Sequence, residues 1–248
     1  MPNCFGAIHG KHILLRCPPN SGSLFFNYKK QFSIVLMAAS DDLYRFTLVD
    51  IGAYGGNSDG GIFECSNIGK SLKNNQLHLP ITLGRLPNSD NLLPGYFLAD
   101  SAFPLSSNLM KPYSGNNLSK EQKIYNYRLS RARRTIESAF GIFANRWRVF
   151  HTPICLLPQT TEYLILTSVC LHNYIMREEQ NDHLKNYSQN WQFRSDERYE
   201  WIINTRHHYD SNVTAAINQR DILCQYLNSS GSVSFQTDYI HPGQYSEY

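Results

Sequence analysis

Six apolar residues, Leu129, Ala132, Ile136, Phe140, Phe143 and Trp147, recur at steps of three and four. At about 100° per residue they fall within roughly 40° of one line, which predicts an amphipathic helix with one apolar face. That face has to be buried against another layer of structure. Ser119, with Glu121 in the first turn, marks the start of the helix. Gly141 weakens it only slightly.

The other layer lies upstream. Residues 5–15 are a first strand candidate, and 32–39 (FSIVLMAA) are an apolar run of strand length. Residues 44–51 (YRFTLVDI) alternate well enough to be its hairpin partner across the Asp41-Asp42 turn. A glycine-rich loop at 52–61 leads into a helix over about 61–73, with N-cap chemistry in Asn57-Ser58-Asp59. Residues 74–94 are expected to be a polar loop, and 96–99 a short strand ending at Asp100. Pro104 and Pro112 keep the next segment irregular, and Pro153 and Pro158 break the loop after the long helix. Residues 160–177 and 213–227 are two further helices. The polar stretch 178–210 carries Trp191 and Trp201 as packing anchors, and the tail 228–248 is expected to be loose. Strands therefore precede residue 100 and helices follow it. The pattern implies an α/β fold, a mixed sheet with helices on its faces and a C-terminal helical extension. A core over 1–177 and an extension over 178–248 are the expected domains, and 248 residues are ample to bury such a core.

Charge is concentrated in one place. Between residues 120 and 148, eight basic side chains face two acidic ones, so this segment is +6 and the rest of the chain is −3 in a net +3. Such a basic surface suits an anionic polymer, although a solvated arginine-rich helix face is the plainer alternative. Arg128, Arg131 and Arg134 step by three along the face away from the apolar stripe and are the candidate phosphate contacts. No apolar stretch is long enough for a membrane helix, and the N-terminus is not that of a secreted protein. The six cysteines form no C-x-x-C pair, which argues against zinc-ribbon and thioredoxin chemistry and for free thiols in a reducing compartment.

Two carboxylates stand out. Asp100 ends a buried strand, where α/β sheets place functional groups. Glu137 lies about 100° from the centre of the apolar stripe, at the edge of the buried face. On spacing alone its commoner role is an ion pair with Arg133 one turn earlier. His9 and His12, three apart on a strand, face opposite sides and cannot hold one ion together. Asp41, Asp42 and Asp50 are hairpin acids suited to turn chemistry.

Six blocks then occur in order: GAIHGKHI (6–13), PPNSGSLFFNYK (18–29), VDIGAYGGNSDGGIF (49–63), LADSAFPL (98–105), YNYRLSRARRTIESAFGIFANRWRVF (125–150) and LHN (171–173). Together, over residues 1–177, they resemble the PIF/Harbinger transposase-derived nucleases of the DDE superfamily. The resemblance implies a ribonuclease-H-like fold and a divalent cation, Mg²⁺ or Mn²⁺, held by three acids. By resemblance Asp100 is the second acid, Glu137 the third, and Asp59 an auxiliary acid in the glycine-serine-aspartate loop. The first acid falls at His9, where the motif reads Gly6-Ala7-Ile8-His9-Gly10.

That departure bears on activity. Two-metal phosphodiester cleavage clamps the attacking water and the leaving oxygen between two ions. A bridging aspartate offers two hard oxygens and a negative charge. Neutral imidazole offers one nitrogen, cannot bridge, and suits Zn²⁺ or Mn²⁺ better than Mg²⁺. The resemblance thus implies a DNA endonuclease core impaired at His9, acting on DNA in the nucleus. The second reading is a catalytically inactive, domesticated DNA- or protein-binding domain. The family carries a helical DNA-binding region ahead of the core, whereas here the first catalytic strand begins almost at once. Backbone contacts without sequence specificity are therefore expected, with a separate DNA-binding protein as a candidate partner.

Overall fold

Alternation along the strands divides their side chains between two hydrophobic layers. The computed structural model describes residues 1–74, 76, 77, 79, 83–187 and 213–236, so Trp191, Trp201 and the tail beyond 236 lie outside the described residues. Its elements are β1 (Cys4–Leu14), β2 (Ser33–Ser40), β3 (Phe46–Tyr54), α1 (Asp59–Cys65), α2 (Asn67–Lys73), β4 (Gly84–Arg85), β5 (Leu92–Leu93), β6 (Tyr96–Leu98), β7 (Leu109–Met110), α3 (Lys120–Arg146), α4 (Pro158–Tyr187) and α5 (Val213–Leu227). The main sheet has five strands in the order β3-β2-β1-β6-β7. The first three are antiparallel neighbours, and β6 and β7 add in parallel. This is the mixed α/β sheet, consistent with a ribonuclease-H-like fold.

The apolar run became β2, with all eight residues buried. Its alternate residues Ile34, Leu36 and Ala38 join the layer built with α3, α4 and α5. Val35, Met37 and Ala39 join the opposite layer with Ile62, Phe63, Ile68 and Leu72 of α1 and α2. The period of two in a strand requires this division. The stripe on α3 packs as expected: Leu129, Ile136, Phe140 and Phe143 are buried, and Phe143 stacks on Phe150 and meets Phe46 edge-on. Ser119 caps α3 with a full capping box, exchanging hydrogen bonds with Gln122. Leu223 and Leu227 of α5 enter the same core cluster as β1 and α3.

Four expectations need correction. The single helix over 61–73 is two helices, because Ser66 ends one and starts the next. Its amide donates to Ile62 and its hydroxyl to Phe63, while its Oγ accepts from Gly69 at 2.9 Å. The loop at 74–94 contains a two-stranded ribbon, β4 with β5. Pro158 does not break the chain but begins α4, a position where no amide donor is needed, and the helix runs ten residues past the expected end at 177. The tail is packed as far as Gln236, which is 4% exposed, donates to Leu227 and accepts from Arg128.

His172 of α4 is fully buried against Phe46 and Phe143, and its Nε2 lies 2.9 Å from the Tyr44 carbonyl. Burial pushes its pKa below 6.5, against the pull of that carbonyl. The unfolded chain then takes up the proton first. Stability is complete above pH 6.5 and falls as the pH drops from there through the lower folded value. Urea unfolding followed from neutral pH to about 5 should show this loss. His172→Gln should flatten it, and an unchanged slope in the variant would remove His172 as the cause.

Candidate metal centre

β1 pairs with β6 only from Cys4 to Ala7, and β6 ends at Leu98. Beyond Ala7 no strand among the described residues pairs with that edge of β1 until the isolated bridge from Leu15 to Ile154. His9 stands in this opening, its ring centroid 6.4 Å from that of Phe140 on α3. Asp100 follows β6 directly. Its Oδ1 accepts the Ala102 amide at 2.8 Å, a local turn that fixes the carboxylate. The Lys111 ammonium holds the same loop by donating to the Ser101 and Phe103 carbonyls at 2.7 and 2.6 Å.

Asp59 arrives from the other layer as the first residue of α1, after the Ser58 N-cap. Two close approaches bring it in. A Cβ on Gly60 would lie 2.2 Å from the Ala102 carbonyl oxygen, so only glycine lets α1 dock against the Asp100 loop. A Cβ on Gly10 would lie 2.8 Å from Asp59 Oδ1, so only glycine lets that carboxylate cross the strand edge toward His9.

His9 Nδ1 consequently lies 3.5 Å from Asp59 Oδ2 and 3.7 Å from Asp100 Oδ2. The three donor atoms all lie within 4.8 Å of one another. His9 Nδ1 is buried and has no hydrogen-bond partner. Burial raises the Asp59 pKa, and the Asp100 charge adds to this, while His9 opposes both. A divalent cation among the three donors would supply the missing partner for the imidazole nitrogen and offset the cost of two neighbouring carboxylates. The residues therefore fit a metal ion. One nitrogen and two carboxylates suit Mn²⁺ or Zn²⁺ better than Mg²⁺, which asks for hard oxygens.

The remaining candidates are placed differently. Glu137 is not in the three-residue cluster; it pairs with Arg133 at 2.6 Å, and its side chain is 43% exposed. Arg128 donates to the Gly231 carbonyl and to Gln236 Oε1, so this candidate phosphate contact instead fastens the C-terminal segment to α3. Arg131 lies over the Phe235 ring at 4.4 Å and donates to Tyr127. Arg134 is exposed. His12 faces away from His9 and is 2.8 Å from the Ser33 hydroxyl. Asp41 binds the turn amides of Leu43 and Arg45, and Asp50 accepts from Asn67 at the start of α2, as hairpin acids do. The clearance provided by Gly10 and Gly60 and the Lys111 clamp had no sequence reading; the adjacency of Gly10 to His9 and of Gly60 to Asp59 was the only available signal. All six cysteines are free, and no helix of the described residues is long and apolar enough to cross a membrane.

Comparison with known proteins places these features. A family model described as DDE superfamily endonuclease matches residues 8–173. The chain is 30% identical over 190 residues to Protein ALP1-like of Arabidopsis thaliana, covering 72% of this chain and 44% of that protein. It is 25% identical over 181 residues to Antagonist of Like Heterochromatin Protein 1 of the same plant, covering 71% of this chain and 44% of that protein. The chain thus spans less than half the length of these relatives. No solved structure matches it.

If Gly10 gives Asp59 its clearance, Gly10→Ala should weaken Mn²⁺ binding by about 10–100-fold, as loss of ligand positioning does. Calorimetry or Mn²⁺ electron paramagnetic resonance reads this, with circular dichroism as the control for folding. Unchanged affinity would take Asp59 out of the metal site.

Proposed function

The chain belongs to the DDE superfamily endonuclease family, and from that membership we propose a transposase-derived, Harbinger-type DNA endonuclease core whose metal centre has changed its ligands. His9, Asp59 and Asp100 hold a single divalent cation. One observation carries this reading: the buried His9 Nδ1 has no partner and lies between two carboxylates.

Charge supports one ion over two. Two ionised carboxylates balance one dication, whereas a pair of ions would leave the site two charges positive. Imidazole cannot share itself between ions, and Glu137, the third acid by family resemblance, is neutralised by Arg133. A bound cation would supply Lewis acidity and an acidified water near a phosphodiester. Asp100, fixed by its turn, and Asp59, at the start of α1, orient that cation, and His9 contributes a neutral ligand. A centre without the second ion lacks one of the two charges that stabilise the attacking and leaving oxygens, so hydrolysis is slow and favours Mn²⁺ over Mg²⁺. DNA lies against the exposed flank of α3, where Arg134 and Arg131 meet phosphates without reading bases. The proposed setting is nuclear, and the proposed partner is a separate protein that supplies sequence specificity.

A second reading has its own observation. The Glu137–Arg133 pair removes the third acid, which describes an inactive domain that keeps the fold and binds DNA or protein.

Plasmid nicking separates the two readings. Wild type should nick weakly with Mn²⁺, and Asp100→Asn should abolish the activity. His9→Asp should raise the rate with Mg²⁺ by about 100-fold or more, the scale of one well-placed electrostatic group. No cleavage by wild type or by His9→Asp would establish the second reading. For the nucleic-acid surface, the Arg131→Ala/Arg134→Ala double variant should lower the slope of log affinity against log salt by about two on duplex DNA. An unchanged slope would move the DNA elsewhere.

A further inference from the structure

Helix α4 buries one side against β3 and the core and leaves the opposite side bare. Along that side Tyr163 is 72% exposed, Leu166 43% and Tyr174 56%, and Cys170 is an exposed thiol. These residues and Arg177 follow one another at steps of three, four, four and three. At about 100° per residue they fall within roughly 80° of arc, the width of a helix-pairing seam.

The spacing is palindromic. Leu166 and Tyr174 each lie four residues from Cys170, and Tyr163 and Arg177 each lie seven. A two-fold interface has to be complementary to itself, so that residue i meets j and j meets i. If two α4 helices run antiparallel with Cys170 at the axis, Leu166 falls opposite Tyr174 of the second copy, and Tyr163 falls opposite Arg177 of the second copy.

Shape and charge agree with that register. A surface pocket of about 440 Å³ lies between α4 and the β2–β3 hairpin, with Arg45, Thr47, Cys170, Tyr174 and Arg177 among its walls. Tyr163 is the most exposed aromatic of the seam, and the register delivers its ring to that pocket. Arg177, the only charge in the seam, already lies 5.7 Å from the Tyr174 ring centroid and would meet a second aromatic face, an attractive arrangement for a guanidinium. The axis carries a neutral thiol, so no like charges are forced together there.

We propose that α4 is the interface of a two-fold homodimer, with Cys170 on the axis and Tyr163 of each copy seated in the pocket of the other. The site at His9 lies in the cleft between β1 and β6, so the dimer stands or falls independently of the metal chemistry.

The test uses the full chain under reducing conditions. Sedimentation equilibrium at tens of micromolar should give a dimer. Leu166→Glu, which places two charges in the seam per dimer, should weaken association by on the order of 100-fold, with the circular dichroism of wild type. A short bismaleimide, which alkylates one thiol at each end, should join two wild-type chains, and Cys170→Ser should lose this product while the other exposed thiols remain. Three results would overturn the proposal: a wild-type monomer at these concentrations, a dimer indifferent to Leu166→Glu, or cross-linking that survives Cys170→Ser. A monomer whose α4 amides resist hydrogen exchange would show that other residues of the same chain cover the seam.

Discussion

The parallel pairing of β1 with β6 stops at Ala7, and the candidate site depends on that stop. A strand that loses its neighbour exposes an edge, and an edge can be approached from both faces of the sheet. His9 is set there beside α3. Asp100 reaches it because β6 has ended, and Asp59 reaches it across Gly10 from the opposite layer. Had β6 continued alongside β1, its backbone would fill the space these three side chains share. The site is therefore a property of the topology at a switch point, where α/β sheets commonly bind ligands.

The two buried layers hold that edge still. β2 is covered on both sides, and its odd and even residues feed different clusters, so neither α3 nor the α1–α2 pair can move without disturbing the same strand. Phe140 couples the α3 layer to the site through its contact with His9, and Gly60 couples the other layer through its contact with Ala102. Close packing of this kind tolerates little displacement. Ligand positions are thus fixed by the core as well as by the loops that carry them.

The chemistry turns on charge. Where the resemblance implies three carboxylates, the cluster has two and an imidazole, and the remaining acid is paired with Arg133. Replacing a carboxylate by a neutral nitrogen removes one negative charge and one bridging oxygen. The donor set then matches one borderline cation better than a pair of hard ones. The Glu137–Arg133 pair is what helical spacing favours, so the local geometry of α3 and the loss of the aspartate act in the same direction.

Much of this was legible in the residues. Helical periodicity gave α3 and its buried face, alternation gave the β2–β3 hairpin, and Ser119 gave the start of the long helix, because these are short-range patterns tied to backbone geometry. The ordered motif blocks placed the chain in its family and marked His9 as the departure. Ser66 as a double cap, the β4–β5 ribbon and the packed Gln236 were missed, because each depends on a partner remote in sequence or on a hydroxyl bonding in two directions. The residues by themselves determined which groups could act: a histidine, two aspartates and an arginine-rich helix. Only the tertiary structure decided that Asp59 rather than Glu137 stands beside His9 and Asp100, and that Arg128 holds the chain's own C-terminal segment. The physical reason is that which side chains meet depends on where strand pairing ends and on which glycines leave room, and neither is encoded in local spacing.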